Sequence, residues 1–289
     1  MIRLALGSLI VGGSILLATA ANAASVFVPP GPGTPVQDAI DAAAPGDTIR
    51  LAIGSYPEHI VITKRLRLRG VTSLAPQYAD TTHFEGFCNP GPVITVAADD
   101  VQIRDVAIGS DAEGAVQVNG RTGIKLKSMF VLSNCDPVTV AAYDVVGSTR
   151  VLLDRVWAAG FGLRPVGPAG IRIADSPGGG KVRVRHVISG GYDVGVLLEN
   201  NGPLSVQVSS NDLNYSTRGI VLQGTTRAMI VHNELYSNTD VGIEIEAGSS
   251  GNVVAGNTID GSTTDVLDNG AANCWRNNTF TTGTDPGCP

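Results

Sequence analysis

Apolar residues arrive along this chain in short alternating runs, with Val, Ile and Leu at every second place and Gly, Asn, Asp or Ser between the runs. A period of two marks strands with one buried face, and the breaks are turn residues. The runs also repeat. The frame apolar-x-x-Asn-x-apolar occurs at Val208 to Leu213, Ile230 to Leu235, Val254 to Ile259 and Trp275 to Phe280, so that Asn211, Asn233, Asn257 and Asn278 are 22, 24 and 21 residues apart. Between them lies a second frame, Gly170-Ile-Arg-Ile, Gly195-Val-Leu-Leu, Gly219-Ile-Val-Leu and Gly242-Ile-Glu-Ile, at intervals of 25, 24 and 23. Upstream copies beginning at Ile103, Leu126 and Leu152 keep the apolar positions without the asparagine, and a copy at Val182 to Ile188 is one residue out of frame.

Roughly eight turns of one solenoid are legible, each with about three short strands. Amphipathic segments long enough for a helical solenoid are missing, and the leucine frame is too sparse for leucine-rich repeats. The pattern predicts an all-β fold: a single-stranded, right-handed parallel β-helix in which each coil hydrogen-bonds to its neighbours. An asparagine recurring at one bend can bond to the asparagine above it and to turn backbone, so Asn211, Asn233, Asn257 and Asn278 are expected to form a structural ladder. Near the start, Thr34-Pro35 suits an N-cap and first helical residue. The following VQDAIDAAA puts Val36, Ile40 and Ala43 on one face of a short helix that can cover the open end of the first coil.

Composition adds a compartment. The first residues, MIRLALGSLIVGGSILLATAANAA, have one basic residue, an apolar core too short to span a bilayer and a small-x-small site at Ala21 to Ala23. We expect a signal peptide over 1–23 and a mature, exported domain over 24–289, secreted or periplasmic. The formal net charge is −6, with 20 Lys+Arg against 26 Asp+Glu. That balance argues against a nucleic-acid binder with a basic face, and against membrane binding once the leader is gone. Four cysteines in an exported chain predict two disulfides, which three connectivities could satisfy. Cys274 and Cys288 are close enough to staple the tail, leaving Cys88 and Cys135 to join two loops. Neither pair has metal-ligand spacing. No motif indicates a cofactor, and Ca²⁺ is left open.

The block VQDAIDAAAPGDTIRLAIGSYPEHIVITKRLRLRG (Val36 to Gly70), followed by asparagine-bearing coils, resembles the pectin-lyase-like superfamily of right-handed parallel β-helix proteins. The resemblance runs from Ser25 to about Phe280 and is specific for fold. It implies less about activity, since members bind or cleave acidic polysaccharides, assist metal-site assembly in the periplasm, or act as adhesins. Enzyme motifs of those families are not matched. Asn238-Thr239-Asp240 has no later Asp pair or Gly-His-Gly. Arg164-Pro165 lacks the second arginine of pectate lyases, and Asp136-Pro137 lacks the Tyr-Gly and His of alginate epimerases. No catalytic residue is assigned.

In this superfamily the ligand groove follows the strand opposite the asparagine bend, which by resemblance is the Gly-Ile-x-Ile frame. Alternation turns its x positions outward. The expected columns are Gln117, Thr139, Arg172, Leu197, Val221, Glu244 and then Asn119, Ala141, Ala174, Glu199, Gln223, Glu246. Glu199 and Glu246 are two coils apart, roughly 10 Å, near the upper end of an inverting carboxylate pair. Two solvated glutamates are the plainer reading. Loops leading into these strands bring Phe161 and Arg164, Tyr192 and Asp193, Tyr215 and Arg218, and Tyr236 and Asp240. Tyrosines can stack on sugars and arginines can clamp uronate carboxylates, although loop-to-loop packing explains the same residues. The expected substrate-binding set is Arg164, Arg172, Tyr192, Asp193, Glu199, Tyr215, Arg218, Glu244 and Glu246. His186 reads as a turn histidine before a general base. The resulting expectation is a monomeric exported protein that interacts with an acidic polysaccharide, as a uronate lyase or epimerase or as a non-catalytic structural, adhesive or assembly factor.

Overall fold

The computed structural model describes residues 23–72, 80–109, 114–135, 139–161, 165–178 and 180–289. Arg164 and all of the leader except Ala23 lie outside them. The chain winds into a parallel β-solenoid of about ten turns with one short helix. Each turn contributes a strand to a nine-stranded sheet whose order follows the sequence coil by coil, from Ile60–Ile62 through Ala169–Ala174, Val194–Glu199, Arg218–Gln223 and Val241–Ile245 to Thr264–Asp268. We call this the narrow sheet. The remaining strands form a 17-stranded sheet that folds around a bend, here the large sheet. All pairings between strands are parallel among the described residues.

The core is a single column of stacked Val, Ile and Leu side chains, as alternation requires, with Tyr56, Phe84, Tyr143 and Trp275 filling wider places. The narrow-sheet frame begins with glycine because the next coil passes too close for a side chain. A Cβ at Gly219 would lie 2.5 Å from the Gly242 carbonyl oxygen and would overlap Leu235.

The asparagine bend forms as the sequence indicates. Asn211 Nδ2 donates to Asn233 Oδ1 (2.8 Å), Asn233 to Asn257 (2.9 Å) and Asn257 to Asn278 (2.9 Å). Each Oδ1 also accepts a backbone N–H of the preceding coil, beginning with Val187 N to Asn211. The residue before each asparagine (Ser210, His232, Gly256 and Asn277) has φ between 55° and 65°, which turns the chain sharply enough to tuck the amide inside. Upstream, the same bend carries positive φ at Asp105, Ser128, Arg155 and His186, followed by buried Val106, Met129, Val156 and Val187. The ladder therefore starts where asparagine replaces an apolar residue. A second ladder, which the repeat analysis missed, runs through Asn201, Thr225 and Ser249, with Asn252 bonded to Asn273 nearby.

At the N-terminal end the helix Pro35–Ala42 buries Val36 and Ile40 and packs against Ser25–Val28, Thr48–Leu51 and Ile60–Ile62. Thr34 occupies the N-cap position but makes no side-chain capping bond. Buried Glu58 does that work, accepting the Val36 and Gln37 N–H groups at 3.0 Å each, which also places a negative charge at the positive end of the helix. Lys64 Nζ closes the other end on the Asp41 and Ala43 carbonyls. The two disulfides are Cys88–Cys135 and Cys274–Cys288, with Cα separations of 5.7 and 4.0 Å. Among the described residues no helix is long and apolar enough to cross a membrane.

Candidate functional site

The outward residues of the narrow sheet stack at the coil pitch of ~4.8 Å. The strand register puts Thr95, Gln117, Asp144, Arg172, Leu197, Val221, Glu244 and Leu267 in one column. Two of the expected positions are corrected here. Asp144 and Val146 stand where Thr139 and Ala141 were expected, because the paired strand is Tyr143–Val146 rather than the alternating run just before it. Tyr143 decides the register, since its ring is fully buried in the core.

That shift supplies Arg172 with a partner invisible in the sequence reading. The guanidinium donates to Asp144 Oδ1 on the neighbouring coil to one side and to Glu199 Oε2 on the neighbouring coil to the other, each at 2.9 Å. Burial alone would lower the Arg172 pKa, but the hydrogen bonds to Asp144 and Glu199 outweigh it and hold the group above the ordinary arginine value. Two coils on, Arg218 Nη1 lies 3.0 Å from Glu244 Oε2 and 3.6 Å from Glu246 Oε1. Gln223 Nε2 donates to Glu246 at 2.8 Å. Between the two ion-pair groups Val221 is buried in a small satellite cluster with Ala141, Ala169 and Val194, against which Leu197 packs.

The structure thus brings Arg172, Glu199, Arg218, Glu244 and Glu246 into one row. Tyr215, 75% exposed, stands in a turn that enters it and Tyr236 ends the large-sheet strand Glu234–Tyr236 just before the next such turn, with Asp193 and Asp240 exposed nearby. Tyr192 does not join them. Its side chain is fully buried and its hydroxyl bonds Ser133 Oγ at 2.7 Å, so the ring is core and cannot meet a sugar. Gly170, whose Cβ would sit 3.1 Å from the Tyr192 ring, leaves the space it fills. Phe161 is exposed, while Arg164 lies outside the described residues.

His186 belongs to the scaffold. Its Nδ1 is 3.0 Å from Oδ1 of buried Asp154, which also faces Arg185. Burial would raise the Asp154 pKa, but the His186 hydrogen bond and the Arg185 charge bring it below the usual aspartate value.

Residues 167–285, fewer than half of the chain, match a family model described as "Periplasmic copper-binding protein (NosD)". The residues present do not fit copper. Among the described residues no three His, Cys, Asp or Glu side chains cluster as metal ligands. His186 and His232 occupy the same bend two coils apart, roughly 10 Å, and Cys274 is held in a disulfide. No curated protein matches the chain. Among solved structures, Geobacillus virus E2 ORF18 is similar with a TM-score of 0.54 and 14% identity over 88% of this chain, which spans 62% of that one, less than two thirds. A periplasmic alginate epimerase, AlgG, is similar with a TM-score of 0.51 and 12% identity over 90% of this chain and 81% of its own. At these identities the likeness is one of fold, and the coil-by-coil register agrees with it: the chain has the right-handed parallel β-helix fold of the pectin-lyase-like proteins.

Proposed function

We propose that this is an exported protein that binds carbohydrate along the narrow sheet and holds the sugar chain without cleaving it. The observation that carries this reading is the row of mutually ordered polar side chains, Asp144–Arg172–Glu199 and Arg218–Glu244–Glu246–Gln223, flanked by the exposed rings of Tyr215 and Tyr236. Sugars are recognised by such groups, with fixed donors and acceptors for hydroxyls and aromatic faces for the ring. Two disulfides and the signal-like leader support an oxidising compartment outside the cytoplasm. The fold shared with a periplasmic alginate epimerase supports a carbohydrate as the ligand class.

The same geometry argues against uronate chemistry on this face. A lyase or epimerase must neutralise the substrate carboxylate before a proton can leave the neighbouring carbon. Both guanidinium groups here are already engaged, and four carboxylates surround two arginines. The excess negative charge repels an acidic sugar, so the row suits an uncharged stretch of glycan. Glycan-array screening followed by calorimetry tests this. Tyr215→Ala combined with Tyr236→Ala is expected to weaken binding of an uncharged oligosaccharide about tenfold, or 1.4 kcal/mol, without loss of fold. Release of unsaturated uronate product, or uncharged-glycan binding that survives the double change, would overturn the reading.

A further inference from the structure

The charge of the chain is distributed unevenly around the solenoid. On the large sheet, the outward column at Arg67, Gln102, Lys125, Leu152 and Arg183 stacks in register across five coils. Two residues earlier, at the turn into each strand, stand Arg65, Asp100, Gly123, Arg150 and Lys181. These two rows line a groove of about 740 Å³ that runs from coil to coil. Among the described residues, six of its side chains are basic (Arg65, Arg67, Lys125, Arg150, Lys181 and Arg183), and Asp100 is the one acidic residue lining it.

None of the six is ion-paired with a described carboxylate. Their neighbours differ: Arg69 and Arg104 lie against Asp105, and Arg155 and Arg185 against Asp154. Arg150 and Lys181 stand at the same turn of adjacent coils, where like charges repel. An acidic chain that leaves six cations unmatched in one concave strip has a surface suited to an external polyanion. The net charge, which argues against a nucleic-acid binder, averages over faces and hides this strip, where Asp100 is the one acidic residue among the described lining residues.

We propose that this groove binds a linear anionic polysaccharide, its chain lying along the solenoid axis with carboxylate or sulfate groups on the six cations. In the sheet column the cations Arg67, Lys125 and Arg183 recur at every second coil, roughly 10 Å, so an extended polymer with regularly spaced charges meets them in sequence. A single-stranded nucleic acid is disfavoured because no aromatic side chain among the described residues lines the groove to stack on bases. A lipid surface is disfavoured because a planar headgroup layer meets the rim of a concavity first. That the polymer is a glycan rests on the carbohydrate reading above; the charge of the groove does not.

The mature protein can be titrated with four fluorescent probes: alginate oligosaccharide, chondroitin sulfate oligosaccharide, neutral dextran and a single-stranded oligonucleotide. Vesicles of phosphatidylglycerol and phosphatidylcholine form a fifth arm. Alginate or chondroitin sulfate is expected to bind; the second carries sulfate in addition to uronate carboxylate, so tighter binding of it would show that sulfate adds to the affinity. Affinity should fall as salt rises. The double variant Lys125→Glu and Arg183→Glu should lose at least 100-fold, and Asp100→Asn should gain severalfold. Both changes are at surface positions, and an unchanged circular dichroism spectrum and melting temperature would verify the fold. Tyr215→Ala should leave alginate binding intact. Equal binding of dextran, indifference to the double variant, or tighter binding of the oligonucleotide or vesicles than of either acidic glycan would overturn the proposal. Failure of the narrow sheet to bind any uncharged glycan would overturn the earlier reading and leave this one standing.

Discussion

Replacing Asn233 by alanine is expected to destabilise the solenoid by about 2–4 kcal/mol, and the figure follows from the bonds of one amide. Asn233 is 1% exposed. Its Nδ2 donates to the Val208 carbonyl (3.1 Å) and to Asn257 Oδ1 (2.9 Å). Its Oδ1 accepts from the Asn211 backbone N–H (3.2 Å) and Asn211 Nδ2 (2.8 Å). Alanine removes all four bonds, but the consequences are unequal. Asn211 Nδ2 still reaches Val184 O, and Asn257 Oδ1 still accepts the Asn233 N–H. The Asn211 backbone N–H is left without its partner in a dry interior, which costs about 1–3 kcal/mol, and the other lost bonds add about 1 kcal/mol more. Asn278, the last rung, is only half-buried, so water can replace what Asn278→Ala removes. That change should cost about 1 kcal/mol or less. The sharper prediction is therefore the contrast: the inner rung should cost at least twice the outer one. Urea unfolding followed by far-ultraviolet circular dichroism measures both, with the midpoint shifting at constant m. A lower m in either variant would show terminal coils detaching separately. Equal losses at the two positions, or a loss under about 0.5 kcal/mol at Asn233, would refute the ladder as a source of stability.

Two other expectations concern residues that resemble functional groups but are structural. Asp154 has a depressed pKa in the folded chain, so as pH falls the unfolded chain takes up the proton first. Its contribution is present above about pH 4 and is lost as pH drops below that value through the folded pKa. Asp154→Asn should lower stability at neutral pH and flatten the acid limb of the stability curve. Parallel wild-type and variant limbs would refute this. Tyr192→Ala should destabilise by about 3–5 kcal/mol, as an emptied aromatic core site does. Tyr192→Phe, which loses the bond to Ser133, should cost about 1 kcal/mol and leave glycan binding unchanged. A Tyr192→Phe variant with normal stability and impaired binding would return the residue to the site.

The solenoid was legible because its strongest constraints are local and recur. A buried bend needs its N–H groups satisfied, asparagine can satisfy them, and the same need returns on each coil at Asn211, Asn233, Asn257 and Asn278. The Gly-Ile frame is legible for a similar reason, since close approach of coils at Gly219 and Gly242 tolerates no Cβ. What could not be read is the choice between two adjoining alternating runs. Thr139 to Ala141 and Tyr143 to Val146 both fit a strand by pattern, and only the demand for a large side chain in the core at Tyr143 selects the second. Turn residues escape alternation altogether. Tyr192 and Tyr215 occupy similar loops, yet one points in and the other out, because space beside Gly170 receives the Tyr192 ring.

Charge shows the difference between composition and register most clearly. In a parallel solenoid a side chain's lateral neighbours are the residues at the same place on the coils above and below, not those beside it in sequence. Arg172 is neutralised because Asp144 and Glu199 fall in line with it, and Arg218 because Glu244 and Glu246 do. Had the strand at Tyr143–Val146 paired one run earlier, Thr139 would face Arg172 and the guanidinium would keep Glu199 alone as its partner. Arg67, Lys125 and Arg183 are stacked by the same rule over Gln102 and Leu152, which carry no charge to offset them. A net charge of −6 is compatible with either outcome on any face. The register decides that the narrow sheet presents paired ions to a neutral sugar and the large sheet presents unpaired cations. A slip in the pairing of Tyr143–Val146 would change the residue that meets Arg172, so the charge pattern of the narrow sheet depends on the alignment that Tyr143 fixes in the core.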